Sequence, residues 1–79
     1  MSEIETQIVS FLEIQLSVQM SGTEDSLFQS GVVDSMNLLQ LIGFIEEKFE
    51  IHVSPNEVTL ENFDSVLRVV DYVKRKKMS

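Results

Sequence analysis

Apolar residues in this chain recur every three to four positions, the spacing of a helix face, and show no convincing alternation of period two. Ile4, Ile8, Phe11, Leu12 and Leu16 form the first such set. Ser2 and Glu5 fit a capping box, in which each side chain satisfies a free amide of the first turn. The spacing predicts a helix from about Glu3 to Ser17. From Val18 to Val33 the chain turns polar and holds Gly22 and Gly31, so a long loop is expected, pinned to the core by Leu27, Phe28, Val32 and Val33. A second helix begins at Asp34 or Ser35, with Asp34 able to cap its free amides. Leu38, Leu41, Ile42, Ile45 and Phe49 share a wedge of about 100° on that helix. It ends near Glu50, and Ile51, His52 and Val53 make an extended link.

Ser54-Pro55-Asn56-Glu57 reads as another start, with a cap, a proline at the first helical position and the acid that completes a box. A third helix of one or two turns follows, ending at a break over Asn62 to Ser65. Asp64 or Ser65 then caps a fourth helix whose apolar set is Val66, Val69, Val70 and Val73, with Tyr72 beside them. The β-branched residues favour a strand, but the helical spacing and basic end outweigh them. The expected fold is all-α: a small four-helix bundle with three main helices, one short third helix and a long loop between helices 1 and 2. Residues 1–79 are read as a single domain.

Composition narrows the function. The chain has no cysteine, which removes disulfides and Cys-based zinc sites, so packed side chains alone must hold a chain of 79 residues together. The net charge is −7, but residues 1–66 sum to −11 and residues 67–79 to +4. An acidic surface argues against a nucleic-acid partner. The run Lys74-Arg75-Lys76-Lys77 is read as a helix C-terminus, where the macrodipole stabilises cations. The start Met1-Ser2-Glu3-Ile4-Glu5 is acidic where a signal peptide is basic. The longest apolar stretch, Leu38 to Ile45, falls well short of the roughly 20 residues of a membrane span. A cytoplasmic protein is expected.

Most reactive constellations are missing. His52 is the sole histidine and sits in the apolar link, where an exposed linker role is the simpler reading. The glycines at 22, 31 and 43 build no phosphate loop, and the acids follow no calcium-loop pattern. No enzyme is expected. One junction stands apart. Asp34-Ser35-Met36 lies where the loop meets the second helix, and Met36, Leu39 and Gly43 fall opposite the core face. Glu46, Glu47 and Glu50 continue that outward stripe with charge. A glycine inside a helix costs about 1 kcal/mol relative to alanine, so Gly43 is a candidate for close approach of another molecule. An apolar patch rimmed by acids suggests docking; taken alone, Ser35 is a helix cap and the two outward apolar residues are ordinary surface.

At this point the sequence resembles the acyl carrier protein family, which includes peptidyl and aminoacyl carriers. The match centres on Leu27-Phe28-Gln29-Ser30-Gly31-Val32-Val33-Asp34-Ser35-Met36 and continues through Glu46-Glu47-Lys48-Phe49, Ile51-His52-Val53, Phe63, Val66, Tyr72 and Val73. The resemblance implies that Ser35 is the attachment point for 4′-phosphopantetheine, transferred from coenzyme A by a separate phosphopantetheinyl transferase. It implies that Asp34 positions that enzyme and that Met36 docks partners. Leu39, Gly43, Glu46 and Glu47 complete the candidate docking surface. The implied function is to hold acyl or aminoacyl intermediates as thioesters and deliver them to ligase, synthase or transferase enzymes of lipid or secondary-metabolite biosynthesis, as a monomer.

Two departures bear on partners. Asn37 and Gln40 stand where many fatty-acid carriers place acids. Met36 and the acid-poor helix start look more like stand-alone carriers loaded by adenylate-forming ligases, including D-alanyl carrier proteins, and this is the alternative reading. An alternative of another class is an unmodified helical interaction module using the Met36–Leu39–Gly43 stripe. A hydrolase using Ser35 has no base to support it.

Overall fold

The computed structural model describes residues 3–15, 26–29, 31 and 33–78. Ser2 of the first capping box, Leu16 and Ser17 at the end of the first helix, most of the expected loop with Gly22, and Val32 lie outside these residues. Helix α1 spans Glu3–Gln15, α2 Ser35–Phe49, α3 Leu60–Phe63 and α4 Val66–Met78, with a 3-10 turn at Pro55–Glu57 between α2 and α3. No strand occurs among the described residues. The architecture is the expected all-α one, with three main helices and a short third.

Helix α4 is the packing axis. It lies against α1, α2 and α3, and α1 also packs on α2. Its stripe of Val66, Val69, Val70, Tyr72 and Val73 is no more than 5% exposed at any position. The core they share also takes Ile8 and Leu12 from α1, Leu41, Ile45 and Phe49 from α2, and Phe63 from α3. Helical spacing thus overrides the strand preference of valine, because a stripe at i, i+3, i+4 and i+7 buries every one of these side chains on one face. Burial of each such side chain contributes about 1.5–3 kcal/mol.

The α1–α2 seam adds a contact that spacing did not mark. Phe44 lies beside the core wedge of α2, and its ring stacks on Phe11 with centroids 4.4 Å apart and planes at 20°. It also meets Phe49 edge-on at 6.2 Å.

The third segment differs from the expected single helix. The capping box at Ser54 and Glu57 forms, but it closes only the 3-10 turn. Thr59 is extended, with φ −130° and ψ 163°, and restarts the chain as the N-cap of α3. The Asn62 side chain reaches back to donate to the Glu57 carbonyl at 2.8 Å, satisfying the end of the turn. Asn62 and Phe63 therefore belong to α3, and the expected break shrinks to Asp64 and Ser65. Of the two candidate caps for α4, Ser65 is used: its Oγ accepts from the Arg68 amide at 3.2 Å.

Helix α2 ends at Phe49, and Glu50 takes the left-handed conformation with φ 56° and ψ 48°. The Glu50 and Ile51 amides both donate to the Glu46 carbonyl, closing the helix end. The Lys77 ammonium donates to the Phe49 carbonyl at 3.3 Å. Arg75 pairs with Asp71 at 3.2 Å and donates to Asn62 Oδ1 at 2.9 Å. Lys76 pairs with Glu57 at 3.1 Å. Arg75, Lys76 and Lys77 of the basic run thus find partners within the chain.

Glu57 is the most connected acid. Its Oε1 accepts from the Ser54 amide at 3.1 Å, the Tyr72 hydroxyl at 2.9 Å and the Lys76 ammonium at 3.1 Å. The Ser54 hydrogen bond first, then Lys76 and Tyr72, hold its carboxyl at about 2 against an ordinary 4.5. Tyr72 moves the other way, to about 12, through burial and its bond to Glu57. A depressed carboxyl stabilises the fold above its unfolded value and loses that contribution as pH falls through its folded value. The excess stability of the parent chain over Glu57→Gln should therefore be nearly full above about pH 4.5, decline below it and be lost as pH falls through about 2. Urea unfolding of both chains across that range checks it; a gap that stays constant with pH would refute the assignment.

Candidate functional site

The junction singled out in the sequence is built by a cap. Asp34 is the N-cap of α2, extended at φ −107° and ψ −172°. Its Oδ1 accepts from the Asn37 amide at 2.9 Å, and its carbonyl accepts from the Leu38 amide at 2.8 Å. Asp34, not Ser35, therefore performs the capping, which frees the serine from the structural role it would have in isolation. Ser35 is the first helical residue and is exposed.

The segment before it is anchored. Leu27 is 1% exposed and Val33 2%, and the Val33 amide donates to the Leu27 carbonyl at 3.0 Å. Phe28 packs against the core from its edge, and its carbonyl accepts from Gly31, whose φ of 77° suits a residue without a Cβ. Two buried aliphatics thus bracket the approach to an exposed serine.

The outward stripe is only partly as read from the sequence. Met36 and Leu39 are each 67% exposed, and Gly43, Glu47 and Glu50 are exposed with them. A Cβ built on Gly43 meets nothing within 4 Å, so no contact inside the chain requires a glycine there. Glu46 departs from the stripe. It is half-buried, and its Oε2 accepts from the Val53 amide at 2.9 Å and lies 3.7 Å from His52 Nδ1. That acid braces the link after α2, a role that helical spacing did not signal because the Val53 amide lies seven residues on.

Electrostatics divide α2 lengthwise. Its first turn carries no acid, and its later turns carry Glu46 and Glu47. The serine end presents Met36, Leu39 and Gln40 exposed and Asn37 half-buried. A helix cannot pair the amides of its own first turn, and its dipole is positive at that end, so a phosphate joined to Ser35 Oγ is favoured there. The Asp34 carboxylate is engaged by the Asn37 amide. The exposed hydroxyl and the acid-free first turn fit a phosphodiester.

A serine hydrolase does not fit. His52 lies beyond the opposite end of α2, a helix about 20 Å long at roughly 1.5 Å per residue. Among the described residues no group of three His, Cys, Asp or Glu side chains could hold a metal ion. No helix among them is long and apolar enough to cross a membrane.

With this geometry in place, comparison with known proteins is specific. A family model described as "Phosphopantetheine attachment site" matches residues 2–73. A D-alanyl carrier protein of Abiotrophia defectiva is 32% identical over 75 residues, covering 92% of this chain and 95% of its own. A D-alanyl carrier protein of Lactobacillus delbrueckii subsp. bulgaricus is 30% identical over 74 residues, covering 92% of each chain. One from Streptococcus uberis is 32% identical over 72 residues, covering 90% of this chain and 91% of its own. The chain belongs to the phosphopantetheine-attachment family of carrier proteins. Its cofactor is covalent 4′-phosphopantetheine, and it is a carrier rather than an enzyme.

Two substitutions separate stability from docking. Asp34→Ala removes the α2 cap and should cost about 1 kcal/mol in chemical denaturation. Gly43→Ala should add about 1 kcal/mol, since the new methyl meets open space and the helix gains propensity. A Gly43→Ala chain that is less stable than its parent would mean that the glycine serves the fold itself.

Proposed function

We propose that this protein is a stand-alone aminoacyl carrier, modified at Ser35 and charged with a D-alanyl group by an adenylate-forming ligase. The observation that carries the site is the exposure of Ser35 at the first position of α2 while Asp34 does the capping. In the modification, Ser35 Oγ bonds to the phosphorus of the phosphopantetheine half of coenzyme A. The bond from that phosphorus to the nucleotide half breaks, and the serine proton leaves to the transferase's base. No base within this chain is needed, in keeping with the remote His52. Once attached, the arm supplies the thiol on which the cargo is held as a thioester, a role for which the chain has no cysteine.

The curated relatives support the aminoacyl reading over lipid or secondary-metabolite synthesis, because the proteins named above are D-alanyl carriers. A D-alanyl cargo is small and polar enough to stay on the arm, so this reading asks for no space in the core, where Phe63 and Val66 are 1% and 0% exposed and the Phe63 ring packs at 5.2 Å on Tyr72, whose hydroxyl is tethered to Glu57. Asn37 and Gln40 leave the serine end without the acids of many fatty-acid carriers, so the enzymes served there need not be basic at that contact. Asp34 orients the modifying enzyme, Met36 and Leu39 dock partners, and Gly43, Glu46 and Glu47 extend that surface.

Incubation of the unmodified chain with coenzyme A and a broad-specificity phosphopantetheinyl transferase should add the mass of one phosphopantetheine, and Ser35→Ala should abolish the gain. The modified chain, given D-alanine, ATP and a D-alanine-activating ligase, should then acquire a hydroxylamine-labile alanyl group. Charging with long fatty acids in preference to D-alanine would overturn the cargo assignment and leave the site intact.

A further inference from the structure

Asp64 lies at the corner between α3 and α4, and no part of the proposed chemistry uses it. It nevertheless holds the segment that leads to the serine. Its backbone carbonyl accepts from the Leu27 amide at 2.6 Å. Its Oδ1 accepts from the Ser26 hydroxyl at 2.7 Å and from the Phe28 amide at 3.4 Å. Three donors from consecutive residues thus converge on one residue that is 36 to 38 positions away. Ser26 passes the link on, because its Oγ also accepts from the Gln29 amide at 3.1 Å. Leu27 passes it further, its carbonyl accepting from Val33, the neighbour of the Asp34 cap. On its other side Asp64 is fixed by its own amide, which donates to the Leu60 carbonyl at 3.0 Å, and by Ser65, the cap of α4.

We infer that Asp64 is a positioning residue for Ser35: by gripping residues 26–28 it sets where the segment entering α2 lies against the α3–α4 corner, and so how the serine is presented to the modifying enzyme. The inference rests on Ser35 being the modified residue. Its physical basis is the division of bonds on Asp64. The carbonyl bond to Leu27 survives any side-chain substitution and keeps the corner folded. The carboxylate bonds to Ser26 and Phe28 fix the direction in which the segment leaves, and they lie in a half-buried setting where a lost acceptor is not fully replaced by water. Charge is not required, since an amide oxygen accepts the same bonds.

The test compares transferase modification of Asp64→Ala, Asp64→Asn, Ser26→Ala and Val70→Ala chains, each shown by circular dichroism to be folded at the assay temperature. Asp64→Ala should lose roughly tenfold in kcat/KM for Ser35, since small misplacements of a reacting group cost one to two orders of magnitude. Ser26→Ala should fall in the same direction, and the double variant should lose less than the product of the two. Asp64→Asn should stay within about twofold of the parent. Val70→Ala, destabilised in the α4 core, should modify at the parent rate. Amide exchange at Phe28 and Val33 should quicken in Asp64→Ala and not in Val70→Ala. A folded Asp64→Ala chain modified at the parent rate overturns the inference alone, and if that chain does not fold, an unchanged rate in Ser26→Ala does so. A rate that falls equally in Val70→Ala also overturns it, because stability then explains the loss. A parent chain that gains no phosphopantetheine overturns the carrier site and this inference together.

Discussion

Burial of one face of α4 is the interaction on which the other elements depend. A chain of 79 residues without cysteine has no covalent staple, and its core must come from side chains that each make contact with several neighbours. Val66, Val69, Val70, Tyr72 and Val73 do this because α4 touches the three other helices. Placing the axis of the fold in the last helix also explains the composition beyond it. Lys76, Arg75 and Lys77 reach from α4 to Glu57, Asn62 and the Phe49 carbonyl, so the basic run closes the bundle at the end of α2 remote from Ser35. Among the described residues Glu3, Glu13, Glu47, Glu50, Glu61 and Asp71 stay exposed, where net charge favours solubility.

The site follows from the same economy of parts. In the proposed role Ser35 is shown to a succession of enzymes, which asks that the serine be exposed yet held in a fixed direction. Here the functions are separated between neighbours. Asp34 satisfies the helix, Leu27 and Val33 anchor the approach, and Ser35 is left exposed. The helix start contributes its dipole, and its first turn adds no acid beyond the Asp34 cap, since the acids within α2 are placed in its later turns. Glu46 shows the same principle from the other side. A residue that looks like surface charge in the sequence is drawn into bracing the link at Val53, which leaves Glu47 as the exposed acid within α2 and Glu50 as the exposed acid at its cap.

What could be read in advance was whatever depends on near neighbours in the chain. Helix periodicity, the Asp34 cap, the Ser54–Glu57 box and the exposed Ser35 are set by residues within about four positions of one another, and their signals stand in the sequence. The third segment was legible only as a start. Its division into a 3-10 turn and α3 turns on the extended Thr59 and on Asn62 reaching back to Glu57, which spacing alone does not weigh.

The sequence by itself determined the all-α class, the faces of the main helices and the serine at a loop–helix junction, because hydrophobic period and capping are local. Only the tertiary structure decided which long-range partners meet: Phe11 on Phe44, Glu57 beneath Tyr72 and Lys76, and Asp64 against Ser26, Leu27 and Phe28. Such contacts join residues 15 to 38 positions apart, and they exist only once burial of α4 has brought the helices together. The hold on residues 26–28, a few positions before Ser35, belongs to that second group, whereas the place of the serine at the start of α2 is legible in the sequence.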